Sequence, residues 1–461
     1  MDYSASNTAL WNVVIQFGMI AGALLLSNIL KRKLGFVRKT LLPTAVLAGF
    51  ILLGLKIAGV ITPDAQFFEY LTYHGIAIGF IAMSLRVPER TEDDKKHRVG
   101  LKSGAIIASS YMIQGATGLI ITVLLSLTVF KGLFPASGIL LPMGYGQGPG
   151  QANNIGSSYE ALGFAGGRSF GLAIAAAGYI CACIVGVCYI NYIVKKGKFN
   201  ISKAKESIEN VSVETFQSAE EPPMSESIDR LSIQVVLVMA VYCATFFLTK
   251  GICGLLGTYA PGVANMVNSL LWGFNFIIGS ALAILLRSVF SKLRSAKIMN
   301  RQYQNNYLLN RVSGLAFDIM ITAGIASIEP EVLTGLWVPF AILAVAGGLV
   351  TFWHLRMVSK KVYGDYYYEG LMSMYGMMTG TISSGMLLLR ELDPDLRTPA
   401  ANNLVVGSSF AILLAAPILV LVSLAAKSLV MTLVALALII VYYFIMLFVI
   451  NLGNQKNKAK E

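Results

Sequence analysis

Two short stretches combine glycine with side chains that donate and accept hydrogen bonds. Residues 144–156 read Gly-Tyr-Gly-Gln-Gly-Pro-Gly-Gln-Ala-Asn-Asn-Ile-Gly, and residues 376–385 read Gly-Met-Met-Thr-Gly-Thr-Ile-Ser-Ser-Gly. In the first, Gly146, Gly148, Pro149 and Gly150 interrupt regular helix, while Gln147, Gln151, Asn153 and Asn154 bring amides that suit carboxylate oxygens. Where a helix resumes, over 151–158, its free N–H groups and positive dipole end attract an anion. The second stretch replaces amides with hydroxyls: Thr379, Thr381, Ser383 and Ser384 flank Gly380. Hydroxyl and carbonyl oxygens suit a hard cation such as sodium as well as a carboxylate. Small residues at this spacing also serve close helix packing, but the recurrence of dense polar content favours a lining role.

Asp318 is the third candidate, because its neighbours Leu315, Ala316, Phe317, Ile319, Met320 and Ile321 are apolar. A carboxylate inside a membrane span costs roughly 2.5–3.5 kcal/mol on insertion scales, which favours pairing with sodium or a proton. The competing reading is that Asp318, a few residues beyond Arg311, reaches water at a span end. Ser84 is grouped with Asp318 as a sodium ligand. Gln114, Asn275 and His354 read as packing groups, Glu160 and Arg168 as solvated loop charges, and Tyr366 to Tyr368 as an interfacial anchor.

The elements that position these residues are membrane helices. Hydrophobic residues make up 56% of the 461-residue chain, charged residues 13%, and the mean hydropathy is +0.67; this composition excludes a soluble domain of this length. Apolar runs able to cross about 30 Å of hydrocarbon start near Leu10, Leu41, Ala105, Ser169, Leu231, Val263, Leu333, Asn403 and Ser428. Shorter runs from Gly75 to Leu85 and from Gly314 to Ile328 bring the expected number to about eleven transmembrane helices. The five cysteines mostly lie in apolar runs and read as packing residues. No cleavable leader is expected, since an acid but no Lys or Arg precedes Leu10.

The net charge of +12 is concentrated in loops and has a topological meaning. Lys and Arg mark cytoplasmic loops, and the first cluster, Lys31 to Lys39, follows the first span, which places the N-terminus outside. Alternation then puts 136–158 in a re-entrant loop dipping from outside, 195–230 in a cytoplasmic linker, and 370–388 in a second re-entrant loop entering from inside. The linker is acidic and serine-rich and reads as flexible. Residues 1–194 and 231–427 thus form two repeats of five spans each. Five is odd, so the second repeat is inverted relative to the first; 428–461 adds a final span and a cytoplasmic tail. Inverted repeats with discontinuous backbone near the midplane characterise secondary transporters.

With these features the chain resembles the sodium/glutamate symporters, which are similar in architecture to sodium-coupled citrate carriers. The likeness covers roughly Leu10 to Lys427 and rests on the order of spans and on the two loops, Gly144 to Asn154 and Thr379-Gly380-Thr381 with Ser383 and Ser384. It implies an all-α protein of the plasma membrane that imports glutamate or a related anionic amino acid or carboxylate with sodium as coupling ion and no cofactor. Carriage of another organic anion, such as a di- or tricarboxylate, stays open. The expected partners are the anionic substrate, sodium, the lipid bilayer and a second copy of the chain in a homodimer, with no nucleic acid. A channel or uniporter built on the same loops is a weaker alternative, as is a sensor recruiting a partner through the linker. An enzyme is not expected: the three histidines, His74, His97 and His354, are scattered and no paired-carboxylate cluster lies within the spans.

Overall fold

In hydrocarbon a backbone polar group has no partner except the backbone itself, so helix is the regular structure open to this sequence. The computed structural model is 83% helix, with no strand among the described residues. It describes residues 3–35, 37, 41–87, 94–197, 199, 224–259, 271–273, 275–393 and 398–452. Among the described residues, eight helices are long and apolar enough to cross a membrane, and a bent pair makes up to nine. The chain is a polytopic membrane protein in architecture.

The helices are α1 Thr8–Lys33, α2 Thr44–Ile57, α3 Ala65–Leu85, α4 Asp94–Leu127, α5 Leu140–Tyr145, α6 Pro149–Glu160, α7 Gly167–Lys195 and α8 Met224–Tyr259. There follow α9 Asn275–Ser295, α10 Asn306–Ala326, α11 Trp337–Tyr363, α12 Tyr367–Thr379, α13 Ile382–Leu392, α14 Ala400–Leu414, α15 Ala416–Ala425 and α16 Leu429–Asn451. Three expected spans differ in detail. The run from Leu41 gives only the 14 residues of α2, about 21 Å at 1.5 Å per residue, shorter than the hydrocarbon core. The run from Asn403 breaks into α14 and α15 with a 50° bend, where Pro417 cannot donate its backbone N–H. The run from Val263 lies partly outside the described residues, and its described helix is α9. Also outside them are 200–223 of the linker and the tail beyond residue 452.

By contacts the chain divides into two compact units that interleave along the sequence: residues 1–69, 91–209 and 321–461, and residues 70–90 and 210–320. Helices α3 and α10 each contribute to both. The second unit has its own core of Ile81, Ala82, Leu85, Val238, Val241, Ala283 and Leu309. The first unit is organised along α4. Thr122 Oγ1 donates to Pro135 O at 2.7 Å and accepts from Gly138 N–H at 3.2 Å. Gly118 and Gly138 meet backbone to backbone; a side-chain carbon on Gly118 would lie 2.0 Å from Gly138 O. On the other end of α4, Tyr363 at the end of α11 donates its hydroxyl to Ser103 at 3.1 Å, and buried His354 lies between Ser109 Oγ at 2.9 Å and Tyr443 OH at 3.1 Å. His354 is therefore a hydrogen-bonded packing group, in keeping with its sequence reading.

Candidate functional site

Both glycine-rich stretches fold as helix, break and helix. The first is α5, a break at 146–148, and α6. Gly148 makes the break possible: its φ of 88° and ψ of −176° lie where only glycine is unstrained. Pro149 then occupies the first helical position, where its missing N–H costs nothing. The second is α12, a break at Gly380 and Thr381, and α13. The chain reverses there, because a side-chain carbon on Gly385 would lie 2.5 Å from Ser373 O and one on Gly376 would lie 2.7 Å from Ser384 O. Residues 12 apart in one straight helix would be about 18 Å apart.

The two hairpins run toward each other along α4. The first is rooted beside Thr122 and reaches Tyr111, whose hydroxyl donates to Gly146 O at 3.2 Å. The second is rooted beside Ser103 and reaches Gln114, whose Nε2 donates to Met378 O and to Thr351 Oγ1, both at 2.8 Å. Their tips touch: a side-chain carbon on Gly148 would lie 3.7 Å from Thr381 Cγ2, 3.8 Å from Gly380 O and 3.9 Å from the Tyr179 hydroxyl. The starts of α6 and α13 therefore fall at one place, and both present N–H groups that no preceding turn satisfies. The end of α12 falls there as well and contributes carbonyl oxygens with the opposite sign of partial charge.

The side chains at the tips are buried yet short of partners. Gln151 is 1% exposed, Asn153 2% and Ser384 3%. Both amide atoms of Gln151, the Asn153 Oδ1, the Gln114 Oε1, and the Thr381 and Ser384 hydroxyls have no hydrogen-bond partner among the described residues. An unpaired buried polar group costs about 1–3 kcal/mol, so a cluster of them marks a place where something else supplies the bonds. Asn154 is buried beside them, Gly146 and Gly150 are buried in the first hairpin, and Gln147 is partly exposed at its tip. Thr379 is buried but satisfied, its hydroxyl donating to Tyr375 O at 2.7 Å. Ser383 is exposed and points away from this cluster, because on a helix it lies about 100° round from Ser384.

Gln114 belongs to the tip cluster even though the sequence reads it as a packing residue: one amide atom is satisfied and the other is not. Tyr111, Tyr179 and Thr351 also reach the tips, and nothing in the sequence singled them out, since each is one polar group in an apolar run. Arg168 departs from the reading as a solvated loop charge. Its side chain is 12% exposed and pairs with Glu69 and Glu329, both at 3.1 Å, while its backbone N–H donates to Glu160 at 3.0 Å. Asp318 is half-buried in α10 and Ser84 is buried in α3; both belong to the second unit, whereas every tip residue belongs to the first. The Ser84 carbonyl accepts from the Arg287 guanidinium at 3.2 Å, a like charge that disfavours a second cation at that oxygen. Compared with protein-family models and with curated proteins, the chain matches none.

Proposed function

We propose that the protein is a secondary active transporter that couples sodium to the uptake of glutamate or a related anionic amino acid or carboxylate. The observation that carries this reading is the meeting of two oppositely directed hairpins at a cluster of buried, unpartnered amides and hydroxyls. Helix starts favour the anion, and the amide of Gln151, in the first turn of α6, offers it bonds. Carbonyl and hydroxyl oxygens at the end of α12 and around Thr381 favour the cation. Such a site binds both charges side by side without a full protein charge next to either.

From Ser103 to Thr122, α4 covers about 28 Å at 1.5 Å per residue, close to the thickness of the hydrocarbon core. On this reading each hairpin is re-entrant, one from each face, and the tips meet near the midplane. The chain then forms two inverted five-span repeats and a final span, with α2 as a short member, the N-terminus outside and the C-terminus in the cytoplasm. This is the plan expected of a relative of the sodium/glutamate symporters acting as a homodimer in the plasma membrane. Asp318 is proposed to hold a separate sodium ion within the second unit. Two sodium ions moving with one monoanion down a tenfold gradient and 100 mV would release roughly 5 kcal/mol, enough for a several-thousand-fold solute gradient.

Purified chain in proteoliposomes, loaded with or without an inward sodium gradient, tests this with labelled glutamate. Concentrative uptake that requires sodium is expected, and uptake indifferent to sodium would reject the coupling. A panel of di- and tricarboxylates identifies the solute if glutamate is not carried. Asp318→Asn is expected to weaken the dependence on sodium while leaving the fold intact.

A further inference from the structure

The second unit holds a feature that this reading does not use. The end of α9 is turned back on itself by Lys297, which adopts a left-handed φ of 58°. Ile298 N–H and Met299 N–H return to Leu293 O at 3.0 and 3.3 Å. This fold-back lays residues 299–304 against the last turns of α9 and borders a half-open cavity of about 370 Å³. Arg287, Lys292, Arg294 and Arg301 line it with Ser291 and Gln304, and among the described residues no acidic side chain does. None of the four cations is ion-paired among the described residues. Arg287 spends Nη1 on the Ser84 and Arg86 carbonyls at 3.2 and 2.8 Å, which fixes its plane. Arg294 Nη1 donates to Gln302 Oε1. These neutral acceptors hold the guanidinium groups in place and leave their charge uncompensated.

Gln304 is the second, independent sign of a ligand. It is 5% exposed, and its Nε2 has no hydrogen-bond partner among the described residues. A buried donor in a cation-lined cavity asks for an acceptor that is also an anion. The partial negative charge at the end of α9 opposes an anion there, but it amounts to about half a charge against four full positive ones. A monocarboxylate would leave most of that charge unanswered. A phosphate carries up to two charges and several acceptor oxygens, and its geometry matches guanidinium pairs. Basic pockets between membrane helices are also where anionic lipid head groups bind.

We propose that this cavity binds a phosphate group. The group is supplied either by the head of an anionic phospholipid or by free phosphate; the chemistry is the same and experiment separates the sources. The full chain is placed in nanodiscs of phosphatidylcholine with or without phosphatidylglycerol, and retained lipid is counted by native mass spectrometry. In parallel, inorganic phosphate is titrated into pure phosphatidylcholine nanodiscs while the thermal midpoint is followed. Retention of phosphatidylglycerol that added phosphate does not displace identifies the lipid; a saturable rise in midpoint that accompanies its displacement identifies free phosphate. The Arg294→Gln, Arg301→Gln double variant, altered only at exposed positions, is expected to lose about tenfold or more in whichever binding is seen, as for the loss of charge-assisted bonds. Gln304→Leu is expected to weaken binding without lowering the midpoint of the ligand-free chain, because it removes an unpaired donor rather than a contact. Equal retention of the two lipids with no response to phosphate, or binding unchanged in both variants, would overturn the proposal.

Discussion

The two hairpins have the same plan and differ in chemistry and setting. The first is lined with amides and wedged between α4 and α7: from Pro149 to Gly156 every residue is buried. Tyr159 anchors the far end of α6 by donating its hydroxyl to Val422 O at 2.7 Å. The second is lined with hydroxyls; its first arm is buried from Gly370 to Thr379, with Met378 O bonded to Gln114 and Tyr375 OH to Gly348 O, while around its break Thr381 and Ile382 are half-buried and Ser383 is exposed. The first hairpin is therefore enclosed on both sides of its break, and the second is enclosed up to its break and opens just after it. An enclosed amide surface suits recognition of an anion, and a more open hydroxyl tip suits a cation that binds and leaves.

The largest effect should come from the strained break. Gly148→Ala places a β-carbon on a backbone open only to glycine, at a cost of about 1–3 kcal/mol, which the break can relieve only by moving the tip. Sodium-driven uptake is expected to fall about a hundredfold or be lost in proteoliposomes, with the helical circular dichroism unchanged; near-normal uptake would break the account of that tip. Next is Gln151→Leu, which removes both unpartnered amide atoms. If they bind a carboxylate, the loss is that of a hydrogen bond to a charged group, about 1.5–3 kcal/mol, seen as a rise in the Kd for the anion of roughly tenfold to a hundredfold. The sodium requirement should be preserved.

Thr381→Val sharpens the comparison from the other side. It removes a hydroxyl and keeps the shape, so about 0.5–1.5 kcal/mol of binding is expected to go, expressed in the sodium concentration needed for half-maximal uptake and not in the anion's affinity. An equal effect on both ligands would erase the division of labour between the tips. Ser383→Ala is expected to change uptake less than twofold, the ordinary result for an exposed position away from any network; a larger loss would move the cluster to the opposite face of α13.

Both breaks were legible in the sequence because glycine and proline act locally and leave their mark wherever they stand. The first helix restarts at Pro149, just ahead of the expected 151–158, and the second at Ile382, for which the sequence indicates no position. Other parts were not legible because they depend on partners distant in the chain. Arg168 meets Glu69 and Glu329, which are 99 and 161 residues away, and a charge at the end of a span looks solvated until those partners arrive. Gln114 is a single amide in an apolar helix, and its membership of the tip cluster comes from Met378 O, 264 residues later. The interleaving of the two compact units is likewise a property of long-range packing, to which helix periodicity is silent. The runs from Leu41 and Asn403 read as full spans in the sequence; the shortness of α2 and the bend before α15 are not anticipated there, because apolar composition alone does not report where a helix stops.

Whether the two tips hold one ligand between them is decided by substrate protection. In a chain whose five native cysteines are replaced, Gln147→Cys and Thr381→Cys are each labelled with a membrane-impermeant thiol reagent from one side at a time, with and without sodium and glutamate. The account predicts that the two positions are reached from opposite faces and that the same solute slows labelling of both. Labelling of both from one face, or protection of one tip with no effect on the other, would contradict a shared site.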